Sequence, residues 1–166
     1  PHAEEVGRAG RASRPLLRAM LLFNAISQHG VRYLADPNTP FEDLGGDAFI
    51  IDSVQYPAEL LTKRAGDCDD CTVLYCSLLE NISVPTAVVE APGHILMAFD
   101  TGVSTYEAQK LGLSSDLYIE RHGHVWIPVE VTLFGKSFHE AWRVGMEKVL
   151  AMEAAGQLVI ADTREA

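Results

Sequence analysis

The feature that most constrains the fold is the order of hydrophobic patterns over residues 68–132, where one helical pattern precedes three strand-like segments. Residues 68–80 carry apolar side chains at the three- and four-residue spacing of a helix with one buried face. Three strand candidates follow, each bounded by proline or glycine: TAVVEA at 86–91, HILMAFD at 94–100 and HVWIPVEVT at 124–132. Because successive strands usually pair antiparallel, the sequence predicts an α+β fold in which this helix packs against an antiparallel β-sheet.

Further helices are predicted on both sides of this region. Ser13 and Pro15 mark the start of a helix that ends at Gly30, and Pro57 opens a short second helix. The amphipathic segment SFHEAWRVGMEKVLAMEAAG predicts a final helix, and QLVIAD predicts a last strand.

Composition limits the class of protein. With 166 residues, of which 48% are hydrophobic, the chain is long enough for one domain with a substantial core. We predict a flexible N-terminal segment over residues 1–12 and a single domain over residues 13–166. A net charge of −10 disfavours nucleic acid as a partner, and no apolar run reaches the roughly 18 residues that insertion across a membrane requires. The chain begins with Pro rather than Met, so we expect a piece of a longer polypeptide and leave compartment and oligomeric state open.

The three cysteines lie within residues 68–76, too close together to form a disulfide framework. Cys68 occupies the first turn of the predicted helix, where free backbone N–H groups and the helix dipole favour a thiolate. Cys71 and Cys76 are expected as small buried hydrophobes. The position of Cys68 alone does not distinguish a catalytic nucleophile from a small buried residue of the core.

A histidine and a carboxylate accompany this cysteine. His94 opens a predicted strand after Pro92 and Gly93, although an isolated histidine is more often structural. Glu130 lies near the end of another predicted strand, on the face opposite its inward-facing valines, where an exposed carboxylate is the ordinary expectation. Cysteine, histidine and acid together are the groups of a thiol nucleophile with its base and an orienting carboxylate.

The blocks GDCDDCTVLYCSLLENISVPTAVVEA, GHILMAFD and VWIPVEVT resemble the transglutaminase-like superfamily of papain-type thiol enzymes, particularly its bacterial members. The resemblance covers about residues 16–145 and implies a papain-like fold and thiol-dependent acyl transfer on peptide or amide substrates, without a cofactor. It implies Cys68 as nucleophile, His94 as base and Glu130 as orienting carboxylate, at a position where the family more often has Asp. Hydrolysis is expected over cross-linking, since cross-linking needs a site that excludes water.

Two assignments carry alternatives. Asp100 is the alternative orienting acid, but six residues at about 3.3 Å each would place it near 20 Å from His94, while a neighbouring strand lies only about 5 Å away. We therefore favour Glu130. The resemblance also implies an oxyanion site formed by the Cys68 backbone N–H and Gln55, with Tyr56 as the alternative donor.

Asp67, Asp69 and Asp70 flank the cysteine, and negative neighbours raise the pKa of a thiol. Three explanations remain open. Asp69 or Asp70 caps the helix; one acid pairs with Lys63 or Arg64; or the cluster binds Ca²⁺, as in some bacterial transglutaminase-like proteinases. Capping and pairing are favoured.

Three other functions remain as alternatives. Cys68 and Cys71 form a C-x-x-C motif, which suits a dithiol oxidoreductase, although the preceding strand of a thioredoxin is missing. The same two cysteines with His122 and His124 have the residue types of a zinc site, but about fifty residues separate the two halves. The third alternative is a catalytically inactive transglutaminase-like binding module.

Overall fold

The computed structural model describes residues 14–35, 54–91 and 93–164. The flexible segment predicted over residues 1–12 and the predicted N-cap at Ser13 lie outside these ranges. Within them the helices are α1 (Arg14–His29), α2 (Pro57–Lys63), α3 (Cys68–Asn81), α4 (Thr105–Lys110) and α5 (Phe138–Ala154). Two 3₁₀ turns cover Ser115–Leu117 and Val131–Leu133. The strands are β1 (Arg32–Tyr33), β2 (Ala65–Gly66), β3 (Thr86–Ala91), β4 (His94–Ser104), β5 (Ile119–Arg121), β6 (His124–Val129) and β7 (Val159–Asp162).

Five of these strands form one sheet in the order β5-β6-β4-β3-β7, and every neighbouring pair is antiparallel. The predicted α+β architecture with an antiparallel sheet is therefore confirmed. Strands β1 and β2 form a separate parallel pair, which places Tyr33 opposite Gly66. This small sheet holds the chain before α3 against the chain after α1.

Helices cover both faces of the five-stranded sheet. Val125, Ile127 and Val129 of β6 belong to the larger hydrophobic cluster, which also includes the buried faces of α1 and α3. Trp126 points to the opposite face and packs with Val149 from α5. This alternation is the one expected of a strand that is buried on both faces. Helix α3 is anchored to α1 by a hydrogen bond of 2.7 Å from the Tyr75 hydroxyl to the carbonyl of Ala19.

The end of β6 differs from the sequence prediction. The strand predicted to continue to residue 132 ends at Val129, and Glu130 precedes a 3₁₀ turn. The Glu130 backbone N–H donates to the carbonyl of Ala141 on α5, and its side chain accepts from the N–H of Thr132. These two bonds take Glu130 out of the sheet and turn it toward the beginning of β4.

Residues 105–121 contain three elements that the hydrophobic pattern did not predict: α4, the 3₁₀ turn Ser115–Leu117 and β5. Ser104 and Glu107 form a reciprocal capping box at the start of α4, a signal that the S-x-x-E spacing carries in the sequence. Across the three described ranges, no helix combines the length and the hydrophobicity needed to cross a membrane.

Candidate active site

The start of α3 is fixed by an acidic capping box that positions Cys68 as the first residue of the helix. Asp67 has an extended backbone, and its side chain accepts the N–H groups of Asp69 and Asp70, both at 3.1 Å. Asp70 reciprocates by accepting the N–H of Asp67 at 3.3 Å. The capping explanation for the acids holds, but the N-cap is Asp67, because it alone has the backbone conformation that precedes the first turn.

Close backbone packing brings β2 against this helix start. A Cβ atom at Gly66 would lie 2.6 Å from Leu60 Cδ1 and 2.8 Å from Asp70 Cβ, so only glycine fits there. Through the pairing of β2 with β1, Tyr33 comes within electrostatic range of the site: burial, and the nearby Cys68 and Asp67, raise the pKa of its phenol. The phenol of Tyr33 is thus a polar group within electrostatic range of Cys68 that the sequence pattern did not predict.

The thiol of Cys68 is half-buried. Its Sγ donates to Asp69 Oδ1 at 3.2 Å. Burial raises the pKa of Cys68 to about 12, the Ile95 backbone N–H opposes the rise, and Asp69 adds to it. Since Ile95 directly follows His94, this N–H shows that the sulfur lies at the beginning of β4. Among the described residues, no hydrogen bond links the Cys68 sulfur to His94.

His94 and Glu130 form a direct pair, with the ring Nε2 2.8 Å from Glu130 Oε2. An ionised carboxylate only accepts, so Nε2 carries the proton and Nδ1 is the ring nitrogen that is left to take a proton from a thiol. Glu130 is buried, with 1% of its surface exposed. The structure therefore brings the His94 imidazole and the Glu130 carboxylate together beside Ile95, whose backbone N–H contacts Cys68.

Four donors surround the Glu130 carboxylate. Oε2 accepts from His94 and from Lys148 Nζ, the latter at 2.6 Å, while Oε1 accepts from the backbone N–H of Thr132 at 3.1 Å and its hydroxyl at 2.6 Å. Burial alone would raise the pKa of Glu130, but the bonds from His94, Lys148 and Thr132 outweigh it and lower the pKa to about 2. The carboxylate is thus ionised and held in one orientation.

Asp100 does not contact His94. It accepts from His124 Nδ1 at 2.8 Å and from the Gly102 N–H at 2.7 Å, near the opposite end of β4. The antiparallel register puts Asp100 opposite Trp126, whereas Glu130 comes beside His94 after β6 has ended. Of the two candidate acids, only Glu130 is placed to orient the imidazole.

Among the predicted oxyanion donors, Gln55 has other partners. The Gln55 side-chain amide donates to Asp70 Oδ2 at 2.5 Å and to the carbonyl of Ala65 at 3.3 Å, and its backbone N–H donates to Asp70 Oδ1. Gln55 therefore braces the capping box of α3. Tyr56 precedes α2 and is 80% exposed. The backbone N–H of Cys68 is not one of the two amides that Asp67 accepts.

The remaining cysteines and the metal alternatives are accounted for by their contacts. Cys71 and Cys76 are buried, as predicted, and all three thiols are free.

His122 contacts Asp162 and His124 contacts Asp100, so these histidines do not join the cysteines in a zinc site. In residues 14–35, 54–91 and 93–164, no group of three or more His, Cys, Asp or Glu side chains is arranged to hold a metal ion. Lys63 pairs with Glu59 at 2.7 Å rather than with an acid beside Cys68.

Sequence reasoning missed the residues that support the carboxylate. Thr132 follows Glu130 by two positions, and a threonine at this spacing is a local signal for a side-chain contact. Lys148 lies 18 residues away on α5, and nothing in the local pattern distinguishes it from any other exposed helical lysine. Only the packing of α5 on β6 reveals it.

Comparisons with protein-family models, with curated proteins and with solved structures find no match to this chain. The function is therefore argued from the site itself. A thiol at a helix N-terminus lies against Ile95, the residue after His94, and a buried ionised carboxylate bonds to the His94 imidazole. Such an arrangement can transfer a proton from sulfur to nitrogen and stabilise the resulting imidazolium.

Proposed function

We propose that this chain is a papain-like thiol enzyme of the transglutaminase-like type that transfers acyl groups from peptide or amide substrates, with hydrolysis as the main outcome. The observation that carries the proposal is the His94–Glu130 pair of 2.8 Å, formed by a buried carboxylate beside the start of α3. A buried, ionised carboxylate bonded to a ring nitrogen fixes the tautomer and strengthens the base. Cys68 is the only cysteine near it that is partly exposed.

In the proposed reaction, Nδ1 of His94 takes the proton of Cys68 as the sulfur attacks the substrate carbonyl carbon. The tetrahedral intermediate then collapses: the C–N bond breaks, and the departing nitrogen takes the proton from the imidazolium as ammonia or amine leaves. A water molecule, deprotonated by His94, then attacks the thioester carbonyl carbon; the C–S bond breaks, the acid is released, and the sulfur takes the proton back from the imidazolium. Glu130 stays ionised throughout and stabilises the imidazolium.

The backbone N–H of Cys68 is the first donor for the oxyanion, because it lies in the first turn of α3 and points away from the helix. Gln55 is the proposed second donor. Both of its amide hydrogens already have acceptors, so this role requires it to exchange the Ala65 carbonyl, the longer bond at 3.3 Å, for the substrate oxygen. The bond to Asp70 is then retained.

The acyl acceptor is proposed to be water for the same reason that hydrolysis was expected from the sequence: cross-linking needs a site that excludes water, and Cys68 is only half-buried. The substrate class is protein or peptide. The acidic surface, with a net charge of −10, disfavours nucleic acid as a partner. Neither step of the proposed mechanism calls for a metal or a cofactor.

One observation favours the second candidate, an inactive binding module of the same fold. The Cys68 thiol donates to Asp69 rather than to His94, and its pKa of about 12 opposes thiolate formation. In an active enzyme the thiol must leave Asp69 when substrate binds. In an inactive module this bond is the permanent state.

Labelling with a peptidyl chloromethyl ketone, followed by intact-mass and peptide mapping, distinguishes these candidates. The proposal predicts a single adduct on Cys68 that is lost in His94→Ala. An enzyme that labels is then assayed on amide substrates for ammonia release and for incorporation of a fluorescent primary amine. Absence of any Cys68 adduct in a folded wild-type protein would support the binding module instead.

A further inference from the structure

A lysine from the last long helix shares the carboxylate oxygen that orients His94. Lys148 Nζ lies 2.6 Å from Glu130 Oε2, and His94 Nε2 lies 2.8 Å from the same atom. Glu130 is 1% exposed, whereas the Lys148 side chain is 40% exposed. The buried carboxylate therefore faces two groups that can carry positive charge, of which Lys148 is the more exposed.

The position of Lys148 is set by backbone packing. A Cβ atom at Gly145 would lie 2.9 Å from the carbonyl oxygen of Pro128. Any side chain at this position would therefore prevent α5 from packing so closely on β6. The carbonyl of Ala141 accepts the Glu130 N–H at 3.0 Å. Lys148 follows Gly145 by three residues and shares its helix face. The helix is thus fixed to Glu130 itself, and Lys148 reaches the carboxylate from a rigid base.

The two cations compete for one carboxylate. Glu130 places a buried negative charge beside the ring. An ammonium group on the same oxygen offsets that charge and repels a positive charge on the ring. A ring that carries no extra proton can accept the proton of Cys68, and the carboxylate keeps its orientation.

We propose that Lys148 is a positioning residue of the thiol site, which holds Glu130 ionised with Oε2 directed at His94 and keeps the imidazole free to accept a proton. The role in turnover rests on the proposed function, whereas the coupling between Lys148, Glu130 and His94 does not.

Other charged groups near His94 remain constant in the experiment below. Asp67 and Asp69 flank the thiol on α3, and the phenol of Tyr33 lies within electrostatic range of Cys68 and Glu130. Glu90 on β3 is exposed and pairs in register with Ile95. None of these groups contacts Lys148 through a hydrogen bond within the described residues.

The test compares four variants of the whole chain in a Cys68→Ala background. Lys148→Met removes the charge and the bond, Lys148→Gln removes the charge and keeps a donor, and Lys148→Arg keeps both. Arg143→Met is the matched control, because Arg143 forms an exposed ion pair with Glu147 on the same helix. The ring nitrogens of His94 are followed by ¹⁵N NMR as a function of pH, and near-UV circular dichroism confirms the fold of each variant.

In Lys148→Met and Lys148→Gln, the midpoint of the His94 titration is expected to rise by about one pH unit, as removal of a nearby charge predicts. Lys148→Arg should restore the wild-type midpoint, and Arg143→Met should not move it. An unchanged midpoint in the neutral variants, or an equal shift in the control, overturns the inference. If Lys148→Met does not fold, Lys148→Gln decides the question.

The same substitutions in the Cys68-containing protein separate this inference from the proposed function. The rate of Cys68 alkylation by iodoacetamide should follow a pH profile displaced upward together with the NMR midpoint. A shifted NMR midpoint with a thiol whose reactivity is independent of His94 overturns the proposed function and leaves the coupling intact. If the reactivity of Cys68 depends on His94 but the NMR midpoint of His94 does not move, the coupling is overturned and the proposed function stands.

Discussion

Two histidine–carboxylate pairs lie near opposite ends of β4, and their comparison shows what separates a candidate catalytic pair from a surface contact. His94 contacts Glu130, and His124 contacts Asp100, each at 2.8 Å. The side chains of the first pair are 19% and 1% exposed, those of the second 43% and 14%. Distance therefore does not distinguish the pairs, whereas burial does.

The acceptors also differ in how completely they are bonded. Glu130 accepts four hydrogen bonds, from His94, Lys148 and Thr132. The side chain of Asp100 accepts from His124 and from one backbone amide. A buried charge that is fully hydrogen-bonded has a fixed orientation, while a solvent-screened pair contributes little.

The largest difference is expected when each histidine is replaced. His94→Ala should reduce labelling of Cys68 by a chloromethyl ketone by roughly 10³-fold or more, because a thiol and its base act as a unit. His124→Ala should change the rate by no more than about two-fold, since its pair is partly screened by solvent. Rate constants from intact-mass spectrometry provide the measurement, and comparable losses in both variants would remove the distinction between the two pairs.

Replacing the carboxylates should give the next largest difference. Glu130→Gln should keep the fold but lower the labelling rate by about 10²- to 10⁴-fold, since the imidazole loses control of its tautomer. Asp100→Asn should leave the rate near that of the wild type. The opposite order would transfer the orienting role to Asp100, and full activity in both variants would mean that a cysteine–histidine dyad suffices.

Acid stability should depend on the ionised Glu130 carboxylate. The pKa of Glu130 is lowered from its ordinary value of 4.5 to about 2. A lowered pKa contributes stability that is complete above pH 4.5 and is lost as the pH falls toward 2. The shift corresponds to about 3 kcal/mol of unfolding free energy. Urea unfolding between pH 5 and 2 should show a shallower decline in Glu130→Gln than in wild type, and an equally steep decline in both would contradict this contribution of Glu130.

The smallest predicted effect concerns the carboxylate that opposes the thiol. Asp69 accepts from Cys68 and helps to raise its pKa above the ordinary value of 9.0. Asp69→Asn should lower that pKa and increase the rate of iodoacetamide alkylation at pH 8 by about three-fold. A decrease in rate would instead assign Asp69 a positive role in activating the sulfur.

Much of the framework around the site could be predicted from the sequence. The amphipathic periodicity predicted α3 from residue 68, and TAVVEA coincides with β3, because these segments bury one continuous face. The choice of Asp67 as N-cap was not predictable, since three aspartates of similar capping preference lie within four positions and only the backbone conformation selects one.

The environment of Glu130 was less predictable. In the sequence it alternates with inward-facing valines, which suggests an exposed carboxylate, but its backbone leaves β6 and bonds to α5. The contact with Lys148 arises from the close approach of Gly145 to Pro128, a tertiary contact with no local pattern. Burial and charge compensation at this site are therefore consequences of helix–sheet packing.

The central claim is that Cys68 is a thiol nucleophile served by His94. Its most direct test is peptide-resolved alkylation by iodoacetamide near neutral pH, which reports the rate at all three cysteines in one experiment. Cys68 should react fastest, buried Cys71 and Cys76 should react slowly, and His94→Ala should remove the advantage of Cys68 while His124→Ala preserves it. Equal reactivity of Cys71, or a disulfide between Cys68 and Cys71, would contradict a nucleophilic role for Cys68 and favour the dithiol redox alternative.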